Sequence, residues 1–503
     1  VSRSAVLPSI DIEVSGMPVD PSVKQAVAEI RVQQQLSQPT QCELLLHGLS
    51  ADTVVATPGD ILKIQVDRQT LFSGDVTAVE YVYGSSNSRE LRIRSYDRLQ
   101  RLRKRQKVRS YVEVRLDELI RELIVADGVT IESTSDMPLL RYLVQWRRSD
   151  FDLLADVTER FGIYFWLDGS ALRISRLASD SSPIKVELGD NLLTAHCEVN
   201  ADSSCEGVRA MAWDSAFSQV VSGEAHQNLK DHSEARRDLD PDNLHADALR
   251  FVMNRTADNE TQAQLIAQGE LDRRASRQLV FSGVADGDVQ LRPGVSVDLQ
   301  GVATLLCGSY TLTSVVHRID SEAGYVSEIS TTPPADPSRH CCGAGVSIGV
   351  VTQVQDPERL GRIRVKLAAY DDAETGWLPV VLPGIGEGKG VIAVPNVGDT
   401  VLIVEPNGDP SHGIVIGGLH GTRVSGDMGI QGDQVKRFYI RTAAPHTLSF
   451  DDVTRTIRLE DASRNSLEFS PDNVVLHATT NMRIEAPGKT IKILADKIDF
   501  ERG

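Results

Sequence analysis

The sequence predicts a mainly β protein. Two β-rich segments flank a small α/β insert, a five-stranded barrel of OB type follows, and a C-terminal triple-stranded β-helix closes only as a trimer. Three observations carry this. Short alternating apolar runs bounded by Gly, Pro and Asp dominate the chain. Helical spacing is confined to 97–178 and one later stretch. In 446–503, apolar pairs two apart recur at steps of 9, 10, 7, 8, 9 and 7 residues.

Residues 1–96 read as β: DILKIQVDRQTLFSGDVTAVEYVYG (60–84) sets Ile61, Leu71 and Val79 among turn signals. The period then changes. Leu116, Leu119, Ile120, Leu123 and Ile124 fall at helical spacing, closed by Asp127-Gly128. A second helix runs through 149–162, with Ser149 as N-cap and Gly162 as stop. IYFWLDGSALRISRL (163–177) is a hairpin about Asp168-Gly169, so 97–178 is an α/β insert.

Strand character returns in 179–335, interrupted by a helix through Gln262–Arg274. The Pro- and Gly-bearing TTPPADPSRHCCGAG (331–345) is a domain boundary. Residues 346–420 hold five short strands in SIGVVTQV, GRIRVKLAAY, GVIAVP, TVLIVEP and GIVIGGL, the last two joined by a tight PNGD turn.

In the final domain, 440–503, the pairs are Leu448/Phe450, Ile457/Leu459, Leu467/Phe469, Val474/Leu476, Met482/Ile484, Ile491/Ile493 and Ile498/Phe500. One short strand per repeat supplies two apolar side chains, too few to enclose a core, and leaves its edges open. Three intertwined copies fill the interior from all sides. Leu448 through Ile493 are therefore expected in a trimer core, and Ile498 and Phe500 at a docking face for a tip protein. An antiparallel meander is the competing reading.

Composition sets the outer bounds. At about 150 residues per domain, 503 residues make roughly three domains. A formal charge of −17 argues against nucleic acid, whose phosphates need clustered cations. The exception is 96–115, where Arg98, Arg101, Arg103, Lys104, Arg105, Lys107 and Arg109 crowd together. Without interleaved aromatics this reads as a solvated face or interface stripe. No apolar run reaches the ~18–20 residues of a membrane helix. VSRSAVLPSIDIEVSG lacks a signal-peptide core, so assembly in the cytoplasm is expected. Six cysteines (Cys42, Cys197, Cys205, Cys307 and the adjacent Cys341 and Cys342) do not make a disulfide framework and fit reduced thiols.

Catalytic motifs are not found. PGIGEGKG (383–390) fails as a phosphate loop: Gly384 and four further residues are followed by Lys389 and not a Gly, and Gly390 follows Lys389 in place of a hydroxyl residue. HExxH and CxxC do not occur. His340, Cys341 and Cys342 are weak candidates for zinc or an iron–sulfur cluster, with plain linker thiols as the simpler reading. No enzyme and no cofactor are expected.

DPERLGRIRVKL (356–367) and GWLPVVLPGIGEGKGVIAVPNVGDTVLIVEPNGDPSHGIVIGGLH (376–420) resemble the OB block of the VgrG family, the hub-and-spike proteins of contractile injection systems and myophage tails. HTLSFDD (446–452) resembles the start of that family's β-helix. VQWRRSDFDLLADVTERFGIYFWLDGSALRIS (144–175) and 291–320 resemble its hub. The resemblance implies a homotrimer with two hub barrels per chain, matched to a hexameric inner tube and held by baseplate proteins. It also implies an OB collar, an envelope-piercing spike, a PAAR-type tip protein and, in some relatives, effector cargo. Residues 421–445 are too few for the muramidase some relatives insert, and the sequence ends at DKIDFERG without an appended effector. That tilts the expectation toward an extracellular phage-tail-like particle over type VI secretion or a phage. The alternatives are a spike carrying or acting as a cell-wall hydrolase, and a β-helix receptor or carbohydrate-binding protein.

Overall fold

The computed structural model describes residues 8–50, 53–84, 89–133, 137–146, 148–177, 182–214, 217, 219–226, 249–253, 255–334, 343–367, 372–420 and 428–501. The chain divides into two compact units, Val1–Leu419 and His420–Gly503.

In the first unit the two β-rich segments share one sheet. Among the described residues it has eleven strands, in the order Leu192–Val199, Leu279–Asp286, Gly324–Ser330, Ser314–Asp320, Val27–Gln35, Gln41–His47, Arg89–Tyr96, Gln69–Tyr83, Ile61–Val66, Ile10–Val14 and Met17–Pro18. The seam is the antiparallel pairing of Ser314–Asp320 with Val27–Gln35, in register from Ser314↔Gln35 to Asp320↔Glu29. Each half centres on its own core, and Val289 and Ile319 of the second join the first. Ile30, Leu44, Ile64 and Ile93 fill the first, and Phe281, Leu299, Leu312 and Val315 the second. Alternation explains this: along Gln41–His47 the buried positions are Cys42, Leu44 and Leu46, and the intervening ones are not.

The α/β layer is built from two stretches of sequence. Helices Leu116–Ile124 and Asp150–Arg160 and the hairpin Tyr164–Asp168/Ala171–Ser175 lie where the pattern predicts. Ser149 caps the second helix by accepting from the Asp152 N–H. The later helix is longer than its apolar pattern, spanning Glu260–Gln278 behind an Asn259 cap. Its Ile266, Ala267 and Leu271 share a core with Phe151, Phe161 and Phe165, and so do Val208 and Val221. Gly162 and Gly269 allow this approach: a Cβ on Gly269 would sit 2.7 Å from the Gly162 Cα.

The barrel sheet has the order Ala373–Glu374, Arg364–Leu367, Gly345–Gln353, Thr400–Glu405, Ile414–Gly418. Four of the five predicted runs are strands. GVIAVP (390–395) is not: it lies in an exposed loop, and the short Ala373–Glu374 takes the remaining place. Its apolar alternation finds no partner strand among the described residues. Pro406–Gly408 and Pro410–His412 form successive 3₁₀ turns where a single tight turn was expected. DPERLGR has a structural reason: buried Asp356 accepts from the backbone N–H groups of Glu358, Leu360 and Arg362 and from Nη2 and Nε of the Arg362 guanidinium, at 2.8 and 2.9 Å.

The second unit begins as a five-stranded antiparallel meander: Arg437–Arg441, Thr447–Asp451, Thr456–Glu460, Ser466–Phe469 and Val474–His477. Within one chain, then, the first four apolar pairs sit on hairpins and are not stacked one strand per repeat. The turns set this. Arg455 and Arg464 take left-handed backbone (φ 54° and 65°), and Asp451 and Asp461 accept from turn N–H groups. Met482/Ile484, Ile491/Ile493 and Ile498/Phe500 follow in 478–501, where no strand forms among the described residues of this chain.

Candidate functional site

The meander brings the predicted apolar residues together on one face. Directly opposed pairs are Phe438↔Phe450, Ile440↔Leu448, Leu448↔Leu459, Phe450↔Ile457, Leu459↔Leu467, Ile457↔Phe469, Leu467↔Leu476 and Phe469↔Val474. Opposed residues share a face, so every one of these side chains points the same way. Phe438 and Ile440, at 60% and 64% exposure, had no place in the predicted set and extend it by one strand. The other face is polar and more sheltered: Arg458 pairs with Glu468 at 3.0 Å and Glu460 at 2.6 Å. A one-sided sheet normally turns its apolar face to a core. Here that face is bare, and covering it is worth about 1.5–3 kcal/mol per large side chain.

The residues beyond it make the same demand of the backbone. Between 480 and 501 a single backbone–backbone hydrogen bond occurs among the described residues, from the Lys489 N–H to the Ala486 carbonyl. Met482, Ile484, Ile491, Ile493, Leu494, Ile498 and Phe500 are all exposed, Phe500 at 92%.

A second feature, not foreseen in the sequence, fixes the barrel to the α/β layer. Phe217 lies between two guanidiniums, with Arg141 at 5.0 Å and Arg362 at 5.7 Å from its ring centroid. The Tyr142 hydroxyl donates to the Glu374 carbonyl, and the Val144 N–H donates to the Ser411 hydroxyl at 3.2 Å. Val108 and Trp146 pack against the barrel core. Buried His412 pairs through Nδ1 with Asp409 at 3.1 Å and through Nε2 with Asp258 at 3.3 Å. Burial opposes its charge, but the two carboxylates win and raise its pKa to about 9. Burial likewise opposes the charge on Asp258, yet the imidazolium holds its pKa down at about 2. The joint therefore contains an ion triad that ties Asp258 to Asp409 and His412, with 154 positions between Asp258 and His412. DPSH (409–412) was its one visible trace.

The basic run is largely consumed internally. Arg101 binds Asp75 through two nitrogens at 2.6 and 2.8 Å, Arg105 reaches Asp127 at 2.5 Å, and Arg109 reaches Glu122 at 2.9 Å. Among the described residues no group of three or more His, Cys, Asp or Glu is placed to hold a metal. His340, Cys341 and Cys342 lie outside the described residues. Among the described residues no helix is long and apolar enough to cross a membrane.

The first unit thus joins a large sheet, an α/β layer and a five-stranded barrel sheet, and the second is a C-terminal β segment. Over residues 5–321 the chain matches the Alg8 N-terminal domain, and it belongs to that family. Residues 347–420 match the type VI secretion system/phage-baseplate injector OB domain. No curated protein matches by sequence. Among solved structures, the Francisella PdpA–VgrG complex (half-lidded) aligns at TM-score 0.56 and 9% identity, over 94% of this chain and 89% of that one. The E. coli c3393 protein, described as a type VI secretion component similar to the phage T4 tail proteins gp27 and gp5, aligns at TM-score 0.55 and 14% identity, over 81% and 99%. The 43 kDa tail protein of prophage MuSo2 from Shewanella oneidensis aligns at TM-score 0.50 and 13% identity, over 64% and 97%. At these identities the likeness is one of fold.

Proposed function

We propose that the chain is the central hub and spike of a contractile injection machine, working as a homotrimer with no catalytic activity of its own. The observation that carries this is the meander: its apolar face is open to water while its charged face is internally paired. That arrangement is stable only when further copies cover it. The hub sheet meets the inner tube and baseplate, the barrel forms the neck, and 446–501 forms the rigid element driven through the target envelope. Exposed Ile498 and Phe500 supply the apolar seat for a pointed tip protein of PAAR type. The subunit is assembled in the cytoplasm into a particle and acts after that particle is released. The fold shared with tail and secretion components supports this reading.

Sedimentation of the full chain tests it. A trimer is expected across the micromolar range, together with a Leu459→Asp variant that sediments as a folded monomer, because Leu459 lies between Leu448 and Leu467 on the bare face. A wild-type monomer with an intact C-terminal unit would overturn the proposal.

A further inference from the structure

The barrel sheet is apolar on both sides. Inward, Val351, Val365, Val401 and Ile403 form its core. Outward, Val346, Ile348 and Val350 are exposed, with Ile348 opposite Leu402 and Val346 opposite Val404. Strands that are apolar on both faces are ordinarily buried on both. The charges at the rim of the outer face are already spent: Lys366 pairs with Asp372 at 2.9 Å and Arg364 with Glu374 at 3.4 Å. What covers this face is therefore apolar and brings no unpaired charge.

The same barrel carries such an object. Residues 382–399 form a projecting arm, longer than the ~12–15 residues beyond which irregular loops are uncommon unless they serve a function. Its base is tied by the Val391 N–H donating to the Pro383 carbonyl at 3.0 Å, and its tip by the Gly386 N–H donating to the Lys389 carbonyl at 2.9 Å. Gly384, Gly388 and Gly390 hold positive φ of 64°, 67° and 134°, and a Cβ on Gly390 would lie 2.7 Å from the Ile385 Cα. The glycines of the PGIGEGKG stretch thus shape a hairpin. Ile385, Val391 and Ile392 project from it into solvent, Ile392 at 78% exposure. Glu387 and Lys389 at the tip cancel in formal charge.

We propose that the arm of one copy lies across the outward face of the next copy's barrel sheet, so that three arms close the neck head to tail. The proposal rests on the trimeric reading. It follows from two unlike apolar patches on one small barrel, one projecting and one receiving, which is the arrangement that closes a ring by rotation. The barrel also directly precedes, in sequence, the segment whose apolar face needs further copies.

Oxidative crosslinking of the full chain tests this. Ile392→Cys and Ile348→Cys are made singly and together, each at an exposed position where folding should survive, and sedimentation is run on the same samples. The double variant is expected to give at least tenfold more covalent trimer on a non-reducing gel than either single variant. A double variant that sediments as a trimer without crosslinking overturns the arm contact and leaves the trimer standing. Covalent dimers from Ile348→Cys alone also overturn it, by placing two receiving faces against each other. A monomer in sedimentation sinks both readings at once.

Discussion

His317 and His412 are both buried, and the protein holds them in opposite charge states. His317 lies on the seam strand. Its Nε2 donates to the Leu291 carbonyl at 3.1 Å, so neutral Nδ1 accepts from the Ser327 and Tyr325 hydroxyls at 3.0 and 3.1 Å. Burial drives its pKa down to about 4 against a feeble upward pull from the Leu291 hydrogen bond. A histidine with a depressed folded pKa contributes stability that is complete above about 6.5 and is lost as pH falls toward 4, on the order of 3 kcal/mol. His412 has the opposite sign: its contribution is complete below about 6.5 and is lost as pH rises through about 9. In calorimetry from pH 7 to pH 4, His317→Gln should lower the starting melting temperature but flatten its fall relative to wild type. Equal slopes would show that His317 does not carry the acid limb. Neither role was legible in the sequence. The partners Leu291 and Asp258 stand 26 and 154 positions away, and no local pattern reports such distances.

At the scale of elements, local signals were read well wherever local chemistry decides. Ser149 caps its helix, Gly162 ends it at φ 65°, and Gly169 turns the hairpin at φ 60°. The misreading of GVIAVP has a physical reason: alternation reports that side chains want burial but not which chain provides it. The C-terminal pairs gave the same signal and divided the same way. Those up to Leu476 find strand partners within the chain, and those from Met482 onward find none among the described residues. Deleting 498–503 should therefore leave the trimer intact, because Leu448 through Ile493 remain, while abolishing binding of a tip protein in a pull-down. Unchanged affinity after the deletion would remove Ile498 and Phe500 from the docking face.

For the whole molecule, the sequence showed the order of the parts more clearly than their connections. The α/β layer recruits Val208, Val221, Ile266 and Leu271 from the later segment, and the hub segments fuse along one seam. Both are long-range pairings that periodicity does not encode. The remaining motif, His340-Cys341-Cys342, is expected to be plain thiols. Elemental analysis of anaerobically purified protein should find zinc and iron substoichiometric, and a stoichiometric metal would make the linker a ligand set. The seam also carries a consequence for biosynthesis. Val27–Gln35 emerges from the ribosome early, yet the strand that covers one of its edges lies roughly 290 residues later. At about 5–20 residues per second, that edge stays open for about 15–60 s on every nascent chain. During that interval it offers a row of unpaired N–H and C=O groups to any neighbouring strand. The cell's margin for making this protein is thus set by how well a half-built sheet is shielded until its last strands arrive.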